Sequence, residues 1–225
     1  LYKKVLIISL LFLLSLSGRA QNDLIFLPCI KNEAIVLNHP ISDGVNTYTF
    51  NVLKLYLSNF QGKNSSGETS LLMPLALVDL EHPDTRNLGT IQQPLSSISF
   101  NFGTDSLTNV SGVLDGPLDP INGMYWAWNS GYINLKAEGF FTDSLNNTIP
   151  FEFHIGGYLP PFPTAQNITF DSLENSKIPS VILNMNEWLA IVIKEGHTNV
   201  MVPGKIATEI SKRIKESILL SYTNE

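Results

Sequence analysis

Cysteine is nearly missing: Cys29 is the one thiol in 225 residues. That excludes an internal disulfide, a CxxCH haem attachment and a thiolate zinc cluster. The fold must therefore rest on its apolar core, and any bound metal must find other ligands. Cationic residues are scarce as well, with 14 Lys and Arg against 20 Asp and Glu and a net charge of −6. No stripe of Lys and Arg is present to release counterions from a phosphate backbone, which argues against a nucleic-acid partner. Long hydrophobic runs are absent too. The longest, Val5 to Leu16, is about a dozen residues, short of the roughly 20 that span a bilayer. There is no Gly-x-Ser-x-Gly elbow, no His-Glu-x-x-His and no phosphate-cradling glycine loop, so the chain reads as non-enzymatic.

What the N-terminus does contain is Lys3-Lys4, the apolar run, Ser17-Gly18-Arg19-Ala20 and then polar Gln21-Asn22-Asp23. That order of charged, apolar and small residues is a secretory signal. Cleavage is expected near Ala20, giving an exported, periplasmic or secreted protein. Cys29 lies too far on for lipidation at the cleavage site. Residues 21–225 remain as one domain. Loss of Lys3, Lys4 and Arg19 moves the net charge from −6 to −9.

Period-two alternation of apolar residues dominates that domain. It runs through Thr47–Leu57, Ser97–Phe102, Tyr132–Ala137 and Ile149–Ile155, and predicts half-buried strands. Turn-forming clusters separate them, at Gly62–Gly67, Asp115–Pro117 and Ser144–Thr148. Many short strands with regular turns point to a sandwich or a barrel. The expected class is all-β, an antiparallel β-sandwich. Gly204–Tyr222 breaks the pattern, because Ile206, Ile210, Ile214, Ile218 and Leu219 recur at helical spacing and predict a C-terminal amphipathic helix. Asn186–Val192 fits either a helical turn or a continuation of the strand Ser180–Met185.

The most unusual stretch is Gly123-Met124-Tyr125-Trp126-Ala127-Trp128-Asn129-Ser130-Gly131-Tyr132. On a strand, Met124, Trp126 and Trp128 share one face. An aromatic core ladder would account for that spacing by itself. Lys136-Ala137-Glu138-Gly139 follows, and then Phe153-His154-Ile155-Gly156. In that order the three segments resemble the MbnP-like family of exported copper-binding proteins, the methanobactin-associated MbnP-like domain. Leu53–Phe60, Ala76–Asp79 and Ile98–Asp105 are similar to its earlier strands, so the resemblance covers most of residues 21–225. It implies a β-sandwich that holds a copper ion with histidine. In some members a tryptophan oxidised to kynurenine by a partner dihaem enzyme also contributes. The matching positions are His154 and one of Trp126 or Trp128. Imidazole suits copper, and an oxidised indole offers a donor that indole lacks. The single cysteine departs from members that carry four.

Further candidates come from the residues themselves. His39 and His82 both precede proline and are expected in extended loops. His197 and Met201 are four apart, a spacing that meets on one helical face and pairs an imidazole with a soft thioether. Glu138 and Asp119 could orient a ligating imidazole, or could face solvent or hold a turn. Cys29 is a candidate Cu(I) ligand or buried packing. Two other classes compete. Glu138 and Glu152 could serve a hydrolase as acid and base. Alternatively Trp126, Trp128 and Tyr132 could be exposed stacking platforms of a non-catalytic adhesion or carbohydrate-binding module. Burial of the two indoles discriminates, because an open aromatic row supports ligand stacking and an enclosed row beside His154 supports metal.

Overall fold

A computed structural model describes residues 23–91, 94–129, 131–171, 173 and 179–222. The expected leader lies outside the described residues. In chain order the strands are β1 (Asp23–Ile30), β2 (Glu33–Ala34), β3 (Pro40–Ser42), β4 (Thr47–Lys63), β5 (Thr69–Asp79), β6 (Asn87–Thr90) and β7 (Ser97–Phe102). There follow β8 (Tyr125–Trp126), β9 (Gly131–Thr142), β10 (Thr148–Gly156), β11 (Gln166–Asp171), β12 (Ser180–Asn184), β13 (Asn199–Val200) and β14 (Ile218–Ser221). The helices are α1 (Ser106–Val110), α2 (Met185–Lys194) and α3 (Lys205–Glu216).

The larger sheet runs β11-β7-β4-β9-β10-β13, and β3, β5 and β8 attach to it through β4 and β9. Its organising element is β4. Along one edge β4 pairs with β9 over Thr47–Leu55 and then with β7 over Leu57–Lys63. Along the other it pairs with β3 and then β5. Register shifts near Phe50 and Phe60 bend the strand, as bulges do. The smaller sheet runs β14-β12-β1-β2, with β6 also on β1.

Alternation then decides what packs where. Leu53, Leu55 and Leu57 of β4, Leu135 and Ala137 of β9, and Phe151, Phe153 and Ile155 of β10 enter the main core. They meet Phe26 of β1, Val181 and Leu183 of β12, Trp188 and Leu189 of α2, and Ile210 and Ile214 of α3. The second layer of this sandwich-like fold is thus the small sheet together with two helices. Each large apolar side chain buried there stabilises by about 1.5–3 kcal/mol. Trp188 meets Phe153 edge-on, with ring centroids 5.6 Å apart.

The structure refines three expectations. Two pairings, β1 with β12 and β10 with β13, are parallel, so the sheets are mixed. The stretch after β12 is helical and forms α2. The C-terminal helix ends at Glu216, and Ile218–Ser221 instead pairs antiparallel with β12. Ile218 and Leu219 fit the helical period, but the free edge of β12 offers them a full ladder. Buried Ile218 and exposed Leu219 then follow strand alternation.

The outer face of the larger sheet carries a second, smaller core. The chain after β7 folds back over it, and Leu118, Met124 and Trp126 pack on Tyr56, Tyr132 and Ile133. A buried polar network ties this cover down. Asn134 accepts from the Thr104 amide at 2.9 Å and donates to Thr164 at 2.9 Å. Asn109 donates to Thr104 at 2.9 Å and accepts from the Tyr132 amide at 2.8 Å. Fully satisfied networks of this kind fix one arrangement. Gly103 makes it possible, since its φ is 91° and a Cβ there would stand 2.5 Å from the Asn134 side chain.

Candidate metal centre

The β9–β10 hairpin sets the site. Its register places His154 beside Lys136 and Glu152 beside Glu138. Because Ala137, Phe153 and Ile155 point into the main core, His154, Lys136 and Glu138 stand on the outer face. His154 is nonetheless only 7% exposed. Its Nε2 lies 2.7 Å from Glu138 Oε1, and Lys136 Nζ lies 3.3 Å from the same oxygen. Burial pushes the Glu138 carboxyl up, but the hydrogen bond to His154 and the neighbouring Lys136 charge outweigh it and hold the group below its ordinary value. A carboxylate accepts only, so Nε2 carries the hydrogen in that bond, and in the neutral imidazole Nδ1 is then the nitrogen with the lone pair. That is how a carboxylate orients an imidazole for a metal.

Trp126 reaches the same face. It pairs with Gly131 across β8 and β9, and its ring lies over Gly156, two residues along β10 from His154. A Cβ on Gly156 would come within 2.7 Å of that ring, so glycine is required for the close approach. Trp126 is 6% exposed and Met124 is fully buried. Trp128 is not on a strand: it sits in the turn after β8, which the Asn129 amide closes onto the Trp126 carbonyl at 3.3 Å. It is 64% exposed, yet its ring centroid is 5.6 Å from that of Trp126. The two indoles therefore meet, one enclosed and one open.

Met201 arrives by a route other than the helical one expected. Helix α2 stops at Lys194, and the chain then turns into β13, whose last pair is Phe153 with Val200. Pro203 packs against Gly157, so the segment between runs beside His154. Met201 follows the last paired residue of β13, at the end of the ladder that approaches His154. Asn199, on the same face, donates to Glu152 at 2.8 Å. His197 does not share a helical face with Met201. Between them the regular structure is the strand pair Asn199–Val200, not a helical turn.

The remaining candidates lie elsewhere. His39 precedes β3, on the far edge of β4, so two strands intervene between it and β10; its Nδ1 meets the Leu37 carbonyl at 2.9 Å. Cys29 is buried on β1, its thiol pushed up to about 11 by burial. Asp119 accepts from the Ile121 amide at 2.9 Å and so holds a turn. Glu138 and Glu152 face each other, but each is engaged by its own partner.

The lone-pair donor at this face is the His154 imidazole, beside the Trp126 ring, and the Met201 thioether belongs to the segment that leaves β13 next to it. Nitrogen with soft sulfur fits copper, whereas an unmodified indole adds no lone pair. Lys136 is neutralised by Glu138 and does not stand as an unpaired cation against a metal. Lys136 and Gly156 enter the sequence reading only as members of the motifs that carry the resemblance, without a role of their own, although counting back from the Asp143–Asn147 turn places Lys136 opposite His154. Asp79, Glu81 and His82 also bring ligand-type atoms within 4.8 Å of one another, but Lys54 Nζ already sits 2.9 Å from Asp79.

Three comparisons bear on the chain. The MbnP family model matches residues 20–205, a span that ends where α3 begins. The solved structure of MbnP from Methylosinus trichosporium is similar at a TM-score of 0.54 and 14% identity, over 75% of this chain and 77% of that one. At that identity the likeness speaks to the fold alone. No curated protein sequence matches.

Proposed function

The chain belongs to the MbnP family, and we propose that it is an exported, non-catalytic copper-binding protein whose cargo is held at the outer face of the β9–β10 hairpin. The observation that carries this reading is His154, nearly buried and held through Nε2 by an ionised Glu138, with Trp126 over Gly156 and Met201 just past the last β10–β13 pair. In this reading His154 Nδ1 and the Met201 thioether supply donors. Trp126 joins them once a dihaem partner has oxidised its indole. Among the described residues no helix is long and apolar enough to cross a membrane, which is compatible with export.

His154→Ala should abolish stoichiometric copper binding, measured by equilibrium competition with a chromophoric chelator, while the circular dichroism spectrum stays native. Wild-type affinity should fall with pH, because a proton competes for the imidazole lone pair. Unchanged affinity in the variant would sink the assignment. The exposed Trp128 ring keeps a carbohydrate-stacking module as the second reading; the enclosure of Trp126 counts against it, since one open ring is not a row.

A further inference from the structure

The two indoles differ in a way that copper ligation does not use. Trp126, 6% exposed, has almost no surface that a dissolved or protein-bound oxidant could touch. Trp128 is 64% exposed and is the ring that meets Trp126 among the described residues. Behind Trp126 the same cluster continues into Tyr132 and Tyr56, whose rings are 5.9 Å apart. Those phenols are poor electron donors here. Tyrosine gives up an electron readily only if its proton can pass to a base. Tyr56 donates to the Pro117 carbonyl at 2.8 Å, and Tyr132 shares its one hydrogen between the Gly112 and Leu118 carbonyls, each at 3.1 Å, while accepting from the Leu114 amide at 3.2 Å. A carbonyl is no base, and burial pushes both phenols upward.

We propose that Trp128 is an electron relay: the exposed indole through which an external one-electron oxidant withdraws electrons from Trp126, while the tyrosines behind it are insulated. The inference rests on the reading that Trp126 is oxidised. The oxidant belongs to the high-valent haem class, since haem carries one-electron chemistry. It takes one electron from the Trp128 π system and is reduced by one unit. The Trp128 radical cation is refilled by one electron from Trp126. No bond forms or breaks in this step and no proton leaves. The net change is one electron lost by Trp126 and one gained by the oxidant, with Trp128 restored. The later oxygenation of the Trp126 radical lies outside this step.

The test needs neither copper nor a partner. Photogenerated tris(bipyridine)ruthenium(III), a bulky outer-sphere oxidant, is applied to the folded protein, and oxidation at each tryptophan is followed by peptide mass spectrometry. In the wild type Trp126 should gain oxygen far faster than Trp188, which is fully buried in the main core and serves as the internal reference. In Trp128→Phe the rate at Trp126 should fall several-fold, towards that of Trp188. An exposed position tolerates this change within about 0.5 kcal/mol, and circular dichroism checks the fold. Wild-type rates at Trp126 in the variant overturn the relay, as does accumulation of all product on Trp128 in the wild type. Native protein whose Trp126 is unmodified would instead count against the oxidation reading and leave the ruthenium result standing.

Discussion

The two faces of the β9–β10 hairpin share a backbone and nothing else. Inward, Ala137, Phe151, Phe153 and Ile155 are buried apolar groups locked against α2 and the small sheet. Outward, on the same two strands, stand Lys136, Glu138, His154 and Gly156, which exchange charge, hydrogen bonds and close ring contact. A period-two strand thus lets one face set stability and the other carry chemistry. Substitution on one face should leave the other's property largely intact.

Three substitutions probe that separation. Phe153→Ala should cost the most, about 3–5 kcal/mol, because it empties the space against Trp188. Urea unfolding measures it, and copper affinity of the fraction that stays folded should survive. A loss of affinity larger than the loss of stability would show that the faces are coupled. Gly156→Ala comes next, at about 1–3 kcal/mol, because its methyl collides with both the Tyr132 carbonyl oxygen and the Trp126 ring. Its signature is a shift in tryptophan fluorescence, and an unshifted spectrum would contradict the contact. Glu138→Gln should be smallest, about 0.2–1 kcal/mol, since the ion pair is partly exposed. The carboxyl sits below its ordinary value when folded, so its contribution is present above roughly pH 4.3 and is lost as pH falls through the lower folded value. The variant should lack that acid-side loss in pH-dependent thermal melts.

Much of the inner face was legible because alternation is visible in the sequence. The strands around Phe50, Phe100, Leu135 and Phe153 fall where period two places them. The outer face was legible only in part. His154 and Glu138 were both candidates, but their contact depends on the turn that sets the hairpin register. Trp126 and Trp128 looked equivalent because a turn between them leaves no mark in an aromatic pattern. Met201 was a candidate for its helical spacing from His197, which the structure does not contain, since α2 ends at Lys194. Ile218 misled because the helical and strand periods both accept an apolar residue there, and only the unpaired edge of β12 decides between them.

The parallel partnership of β1 with β12 has a consequence in time rather than space. A chain that emerges N-terminus first, from a ribosome or through a translocation pore, releases Phe26 and Leu27 long before Val181 and Ile182, to which they are registered. Until then the first strand has an apolar face and an open parallel edge with nothing to join, although the β4–β5 hairpin can already form. Closing so large a loop is slow more than it is costly. The small sheet is therefore a lock that engages last, and a chain stopped short of β12 would expose its first strand to whatever lay nearby.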